Sequence, residues 1–282
     1  MPMIAVIGAG PLGGTLAQVL ARRNRVRNVR LIDPAGTIAE GKALDILQSG
    51  PIEPFSTRVG AATTLAAAAG ADAIVLADLA AGGSISGEPG LALLRQVANL
   101  DTTAPLVFAG GDQRELIARG ASELHISQAR LIGSAPLALE SAVSAVAAAL
   151  IDASPADLSI GIAGVPPNHA VIAWDAATAF HQPISRVLPA HQMAAVTARL
   201  PALWPPSAYT LASAAARVAE AVALGSRRRY TCFTGVGDGS HGRGIVAAVP
   251  VMFVRGGVKM VLEPALSRHE RTAFENGLVA SD

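Results

Sequence analysis

The chain has 282 residues, room for one large α/β unit or two lobes sharing a core, and 51% of them are hydrophobic against 15% charged. A formal net charge of +1 excludes the strongly basic face that nucleic acid or an anionic membrane surface would need. The one cysteine, Cys232, excludes a disulfide framework and a cysteine-based metal site, and the six histidines fall in no ligand spacing, so no metal is expected.

Met3–Ile7 is a wholly apolar run, the pattern of a buried parallel strand. It starts at once, with no basic segment before it, so no secretory leader is expected. Gly8, Gly10 and Gly13 follow, and Leu12, Leu16, Val19 and Leu20 then recur at helical spacing up to Arg22 and Arg23. Glycines so spaced between a strand and a helix mark a dinucleotide-binding turn. One makes the bend, one admits a pyrophosphate and one lets helix and strand pack closely. Pro11 suits the first helical turn, where no N–H is needed. A second apolar run, Val29–Ile32, ends at Asp33, twenty positions beyond Gly13. An acid there takes the ribose hydroxyls and favours NAD over NADP. A glycine-rich turn without a ligand is the plainer alternative.

Ile38–Leu47 reads as a helix stopped by Gly50-Pro51, Thr57–Gly60 as a short strand and Leu65–Ala69 as an alanine-rich helix stopped by Gly70. Ala73–Ala77 is another buried strand. Asp78 and Leu79 follow it at the carboxyl end, where ligands of such sheets collect, so Ala77, Asp78 and Leu79 join Gly8, Gly10, Pro11, Leu12, Gly13 and Asp33 as candidate cofactor contacts. Ala80–Gly90 reads as a flexible, lid-like loop. A helix over Leu91–Leu100, a strand over Pro105–Ala109, a helix over Arg114–Arg119 and a strand over Ala129–Ile132 complete a Rossmann-type, doubly wound parallel sheet.

A second, α+β part follows. Leu139, Val143, Val146 and Leu150 share a helix face, and Leu158–Val165 and Ala170–Ala173 read as strands around a Pro166–His169 turn. A helix runs from about Ser207 to Leu224, capped by Gly225, with Leu211, Ala215, Val218 and Val222 on one side. Tyr230–Thr234, Ile245–Val249, Val251–Val254 and Val258–Leu262 read as antiparallel strands. The expected division is a nucleotide domain at 1–134 and a substrate-type domain at 135–282. No run reaches membrane-spanning length, and a cytoplasmic protein is the expectation.

Gly8-Ala-Gly-Pro-Leu-Gly13, Gly41-Lys-Ala-Leu-Asp45, Ser49-Gly-Pro-Ile-Glu53, Arg130-Leu-Ile-Gly133, Pro206-Ser-Ala-Tyr209 and the stretch from Val249-Pro-Val251 to Leu262-Glu263 resemble the malate/lactate dehydrogenase family. The resemblance spans nearly the whole chain. It implies an NAD(H)-dependent oxidoreductase fold acting on a small molecule, assembled as a homodimer or homotetramer. It also implies a histidine acid, an aspartate that orients it, and arginines that dock the substrate carboxylate.

Those groups are missing. Ala80–Leu94 carries no arginine, Gly110-Gly111-Asp112 replaces the family's Asn-Asn-Pro, Leu139 and Ala142 stand where the aspartate and arginine belong, and Pro166 stands for the histidine. The segment between Ser185 and Ser207 looks shortened, and the C-terminal helix ends early. His169, three positions on, is either a displaced general acid or a solvated turn residue. Glu140 is turned about 100° from the lost aspartate, elsewhere on its helix. Asp112 and Arg114 either reach a ligand or cap the next helix. Trp174 and Trp204 read as packing anchors and His241 as a surface residue of a hairpin turn. The expected function is an NAD(H)-dependent oxidoreductase that does not act on malate or lactate. The alternatives are an NAD(H)-binding pseudoenzyme and a subunit kept for assembly.

Overall fold

A computed structural model describes residues 2–100, 102–236 and 245–281. Strands and helices alternate through the first half: β1 (Met3–Ile7), α1 (Pro11–Arg23), β2 (Asn28–Ile32), α2 (Gly36–Ser49), β3 (Arg58–Ala62), β4 (Ala73–Leu76), α3 (Gly87–Ala98), β5 (Leu106–Phe108), α4 (Arg114–Ser122) and β6 (Leu131–Gly133). These six strands are parallel, in the order β3-β2-β1-β4-β5-β6. The chain winds outward from β1 to β3 and then returns to place β4 on the other side of β1. The crevice at the carboxyl ends of β1 and β4 is thus the topological switch point, where ligands of doubly wound sheets bind.

The second half contains α5 (Ala135–Leu150), β7 (Leu158–Ser159), β8 (Ile162–Val165), β9 (His169–Ile172), β10 (Thr178–Ala179), β11 (Gln182–Pro183), α6 (Ala190–Ala198), α7 (Ala208–Leu224), β12 (Ser226–Val236), β13 (Ile245–Val254), β14 (Gly257–Val261) and α8 (Arg268–Val279). Strand β12 meets β6 antiparallel at Phe233 and Gly133, so the sheet runs on through β13, β8 and β9, while β7, β10 and β11 form a small sheet of their own. The larger apolar cluster draws on both halves, with Val6, Leu16, Val75 and Phe108 joined by Val218, Val222 and Phe233. A smaller one gathers Leu139, Val143, Ile162, Ile172, Ile184 and Leu200. No helix among the described residues is long and apolar enough to cross a membrane.

Helix α7 couples the two halves. Its alanines let α1 approach closely, Ser207 caps its start through the Thr210 N–H, and Gly225, at φ +80°, ends it. Glu220 is buried in this seam with its charge met: Arg23 donates to both carboxylate oxygens at 2.8 and 2.7 Å. That hydrogen-bonded pairing raises the Arg23 pKa above its ordinary value.

Several expectations need correction. Leu65–Ala68 is a single 3-10 turn. Helix α3 starts at Gly87, inside the stretch expected to be loop. Ile160 and Gly161 split the strand expected over Leu158–Val165 into β7 and β8. The strands expected on either side of Pro250 are one strand, β13. Proline lacks an N–H, but its carbonyl still accepts from Leu262 N at 2.8 Å, so pairing persists. Strand β12 begins at Ser226, where a register shift between Ser226 and Arg229 absorbs a charged segment that carries no strand pattern.

Candidate functional site

The glycine turn closes on the end of β4. Gly8 leaves β1 at φ +102°, and a Cβ there would collide with the Asp78 backbone. A Cβ on Gly13 would strike the Gly8 carbonyl, and one on Gly10 would strike the Asp78 carboxylate. Gly8 therefore makes the bend and Gly13 the close approach of helix to strand. The space that Gly10 opens holds a side chain of the protein itself.

Asp78 sits on the first turn of α1. Its Oδ1 accepts from Gly13 N at 2.8 Å and its Oδ2 from Leu12 N at 3.1 Å, while its carbonyl accepts from Gly10 N at 2.8 Å. These first-turn N–H groups have no partner within a helix and carry the positive end of its dipole, so a carboxylate is a favourable occupant. Lys42, from the Gly41–Asp45 stretch on α2, donates to the carbonyls of Ala9 at 2.6 Å and Gly10 at 2.9 Å.

Asp33 is 1% exposed, and both of its oxygens are engaged. Oδ2 accepts from Ala9 N at 2.8 Å and Ala80 N at 2.9 Å, and Oδ1 accepts from Ala35 N at 2.8 Å. It staples the glycine turn, the end of β2 and the segment after β4 to one another. Leu79 faces a cleft of about 520 Å³ beside this staple, lined by Ile32, Pro34, Thr63, Leu65 and Leu93 among others. Ala77 is buried and Pro11 exposed, away from that cleft.

The segment after β4 is anchored. Ser84 bridges back to Asp78, and its hydroxyl donates to Asp112 Oδ1 at 2.8 Å. Asp112 therefore holds this loop and does not cap α4, whose N-cap position is Gln113. Gln113 is fully buried. It accepts from Gly110 N at 2.7 Å and donates to the carbonyls of Ile85 at 3.1 Å and Ala77 at 3.3 Å. Arg114 turns away and donates to the carbonyl of Val246 at 3.0 Å.

The surroundings of Leu139, Pro166 and Gly111 are apolar. Leu139 is 0% exposed inside the smaller cluster, and Pro166 is buried. Gly111 is covered by Pro205, whose Cβ lies 2.7 Å from where a side chain would start, with Trp204 next to it. Trp204 is the expected anchor, meeting Phe233 edge-on at 5.9 Å, while the Trp174 indole donates to Thr197. His169 is the first residue of β9, not part of the turn before it, and its Cβ packs against Gly277 of α8. His241 lies outside the described residues.

Glu140 is half-buried and, as expected, faces away from the Leu139 side of its helix. It lines a separate cleft of about 510 Å³ between α5, α7 and β12, together with Arg217, Arg229 and Thr231. Burial pushes its pKa up to about 7, against the smaller opposing effects of a Thr231 hydrogen bond and the Arg229 charge. Among the described residues, no cluster of His, Cys, Asp or Glu could hold a metal ion.

A doubly wound sheet with a glycine turn, an acid after β2 and a cleft at the switch point defines the dinucleotide-binding class of α/β proteins. The cleft has room for a nucleoside, whereas the first-turn N–H groups that would meet a pyrophosphate are bonded to Asp78.

No family model matches the chain. It is 27% identical over 294 residues to the malate dehydrogenase of Thermomicrobium roseum, covering 96% of this chain and 93% of that one. It is 28% identical over 302 residues to the malate dehydrogenase of Thioalkalivibrio sulfidiphilus, covering 99% and 96%. Its fold matches the lactate dehydrogenase of Cryptosporidium parvum, solved with lactic acid and nicotinamide adenine dinucleotide, at a TM-score of 0.85 and 20% identity over 99% of this chain and 95% of that one. The chain is a homologue of the malate/lactate dehydrogenases, with their fold over its whole length.

Proposed function

We propose that this chain is an NAD(H)-binding oxidoreductase of malate/lactate dehydrogenase descent that acts on neither malate nor lactate. The observation that supports the reading is the contrast between an ordered turn at Gly8, Gly10, Gly13 and Asp33 and the apolar packing of Leu139, Pro166 and Pro205, which we align with the place where such enzymes do their chemistry. Bound NAD(H) supplies hydride exchange with a carbonyl or hydroxyl carbon. A substrate carboxylate needs an arginine fork, and the emerging alkoxide needs an acid; loss of the acid alone typically costs about 10²–10⁴-fold in rate. His169 is the one acid we retain as a candidate, for a substrate without a carboxylate.

A second reading, an NAD(H)-binding pseudoenzyme, is favoured by one specific observation: Leu139 is sealed in an apolar cluster. We assign residues 1–134 to nucleotide binding and 135–282 to the remainder, and we propose a homo-oligomer in the cytoplasm. The test is fluorescence titration with NADH and NADPH, followed by assays with oxaloacetate, pyruvate and carbonyl compounds that lack a carboxylate. Saturable NADH binding with turnover of the last group alone supports the oxidoreductase. Binding with no turnover supports the pseudoenzyme, and robust turnover of oxaloacetate or pyruvate overturns both.

A further inference from the structure

We infer that Asp78 is an internal competitor for phosphate and so determines specificity at the dinucleotide end of the sheet. With its carboxylate on α1, the adjoining cleft takes a neutral nucleoside, and a dinucleotide enters only by displacing Asp78. The dinucleotide half of this inference rests on the NAD(H) binding proposed above; the phosphate half does not.

Three observations converge on it. The N–H groups of Leu12 and Gly13 are the donors that an anion takes at a helix N-terminus, and both already bond to Asp78. The gap that glycine leaves at position 10 is filled by the same carboxylate. The neighbouring cleft offers the apolar faces of Ile32, Pro34, Leu65 and Leu79 with the hydroxyls of Thr63 and Thr64, and no Lys or Arg among the described residues that line it. Such a lining suits a flat heterocycle and a sugar, and gives a phosphate no countercharge.

Around the turn two carboxylates, Asp33 and Asp78, stand against one ammonium, that of Lys42, whose protons go to the Ala9 and Gly10 carbonyls, so the charge balance there is negative. The Asp78 backbone is fixed by the Gly10 N–H, so release of the first turn of α1 requires only rotation of the Asp78 side chain. A pyrophosphate that replaces it gains the helix terminus but must first displace two charge-assisted hydrogen bonds.

The test compares the intact chain with Asp78→Ala and with Asp78→Ser, the latter keeping a short oxygen acceptor near the turn should the alanine variant fold poorly. Inorganic pyrophosphate, adenosine and NADH are the probes, read by thermal shift and titration. We expect pyrophosphate to raise the melting temperature of the variants and not of the original chain. NADH should bind the variants about tenfold tighter or better. Adenosine should bind all three chains within about twofold of one another.

Equal pyrophosphate responses and equal NADH affinities across the three chains would overturn the inference and leave the proposed NAD(H) binding standing. A pyrophosphate response gained by the variants, with NADH bound by none, would uphold the internal competitor and sink the proposed NAD(H) binding. Adenosine bound by no chain would overturn the nucleoside selection.

Discussion

The two ends of the proposed binding crevice are built in opposite ways. At the dinucleotide end, polar groups are present and committed to one another: the carboxylates of Asp33 and Asp78 together accept five backbone N–H bonds. Where we propose the chemical end to lie, apolar side chains pack against one another, with Leu139 in a sealed cluster and Pro205 against Gly111. A backbone turn is hard to erase, because its glycines are required by packing whether or not a ligand binds. A catalytic side chain standing over a cleft supports no neighbour, so an apolar residue can replace it without loss of fold.

The contrast can be broken most forcefully at Leu139. An aspartate there, Leu139→Asp, puts an unpaired carboxylate into an apolar cluster, and we expect a loss of roughly 4 kcal/mol or more in chemical denaturation. A loss below about 1 kcal/mol would show that the position opens to water.

Glu140, one residue on, sharpens the same point through pH. Its folded pKa, raised from 4.5 to about 7, means that the folded state holds a proton which the unfolded chain releases earlier. The stabilising contribution is therefore complete below pH 4.5 and declines as pH rises towards about 7, by up to about 3 kcal/mol. Glu140→Gln should flatten this part of the stability profile. An unchanged profile would place the carboxyl in water.

At the dinucleotide end, Asp33→Ala leaves three N–H groups without their acceptor and should cost about 2–3 kcal/mol. It should also weaken NADH binding and narrow the preference over NADPH, by titration. An unchanged preference would confine Asp33 to its stapling role. The smallest effect is expected in the α1–α7 seam. Arg23→Ala removes the principal partner of buried Glu220, but Arg25 stands 3.6 Å from the same carboxylate, so a loss of about 1–2 kcal/mol is expected in thermal unfolding. A far larger loss would mean that Arg25 does not compensate.

The sequence made the frame readable because strands and helices write local periods. The run Met3–Ile7, the glycine spacing and the apolar face of α7 needed no tertiary knowledge. What stayed hidden depends on partners far apart in the chain. Asp78 was placed at the right end of the right strand, but its bonds to Leu12 and Gly13 span more than sixty positions and leave no periodic trace. Gln113 was missed altogether, since a glutamine after Gly-Gly-Asp reads as loop and only the fold brings the Ala77 and Ile85 carbonyls to it. Lys42 drew notice only as part of a recurring stretch, with no role assigned. His169, expected in a turn, opens a strand for a related reason: a strand edge is set by what packs against it, here α8.

The most direct measurement is made in one cuvette. The intact chain is titrated with NADH to saturation by fluorescence, and oxaloacetate is then added to the complex. We predict saturable binding followed by a stable NADH signal, a cofactor held where malate chemistry is absent. Rapid loss of the signal would contradict the apolar chemical end, and no saturation at any NADH level would contradict the retained dinucleotide end.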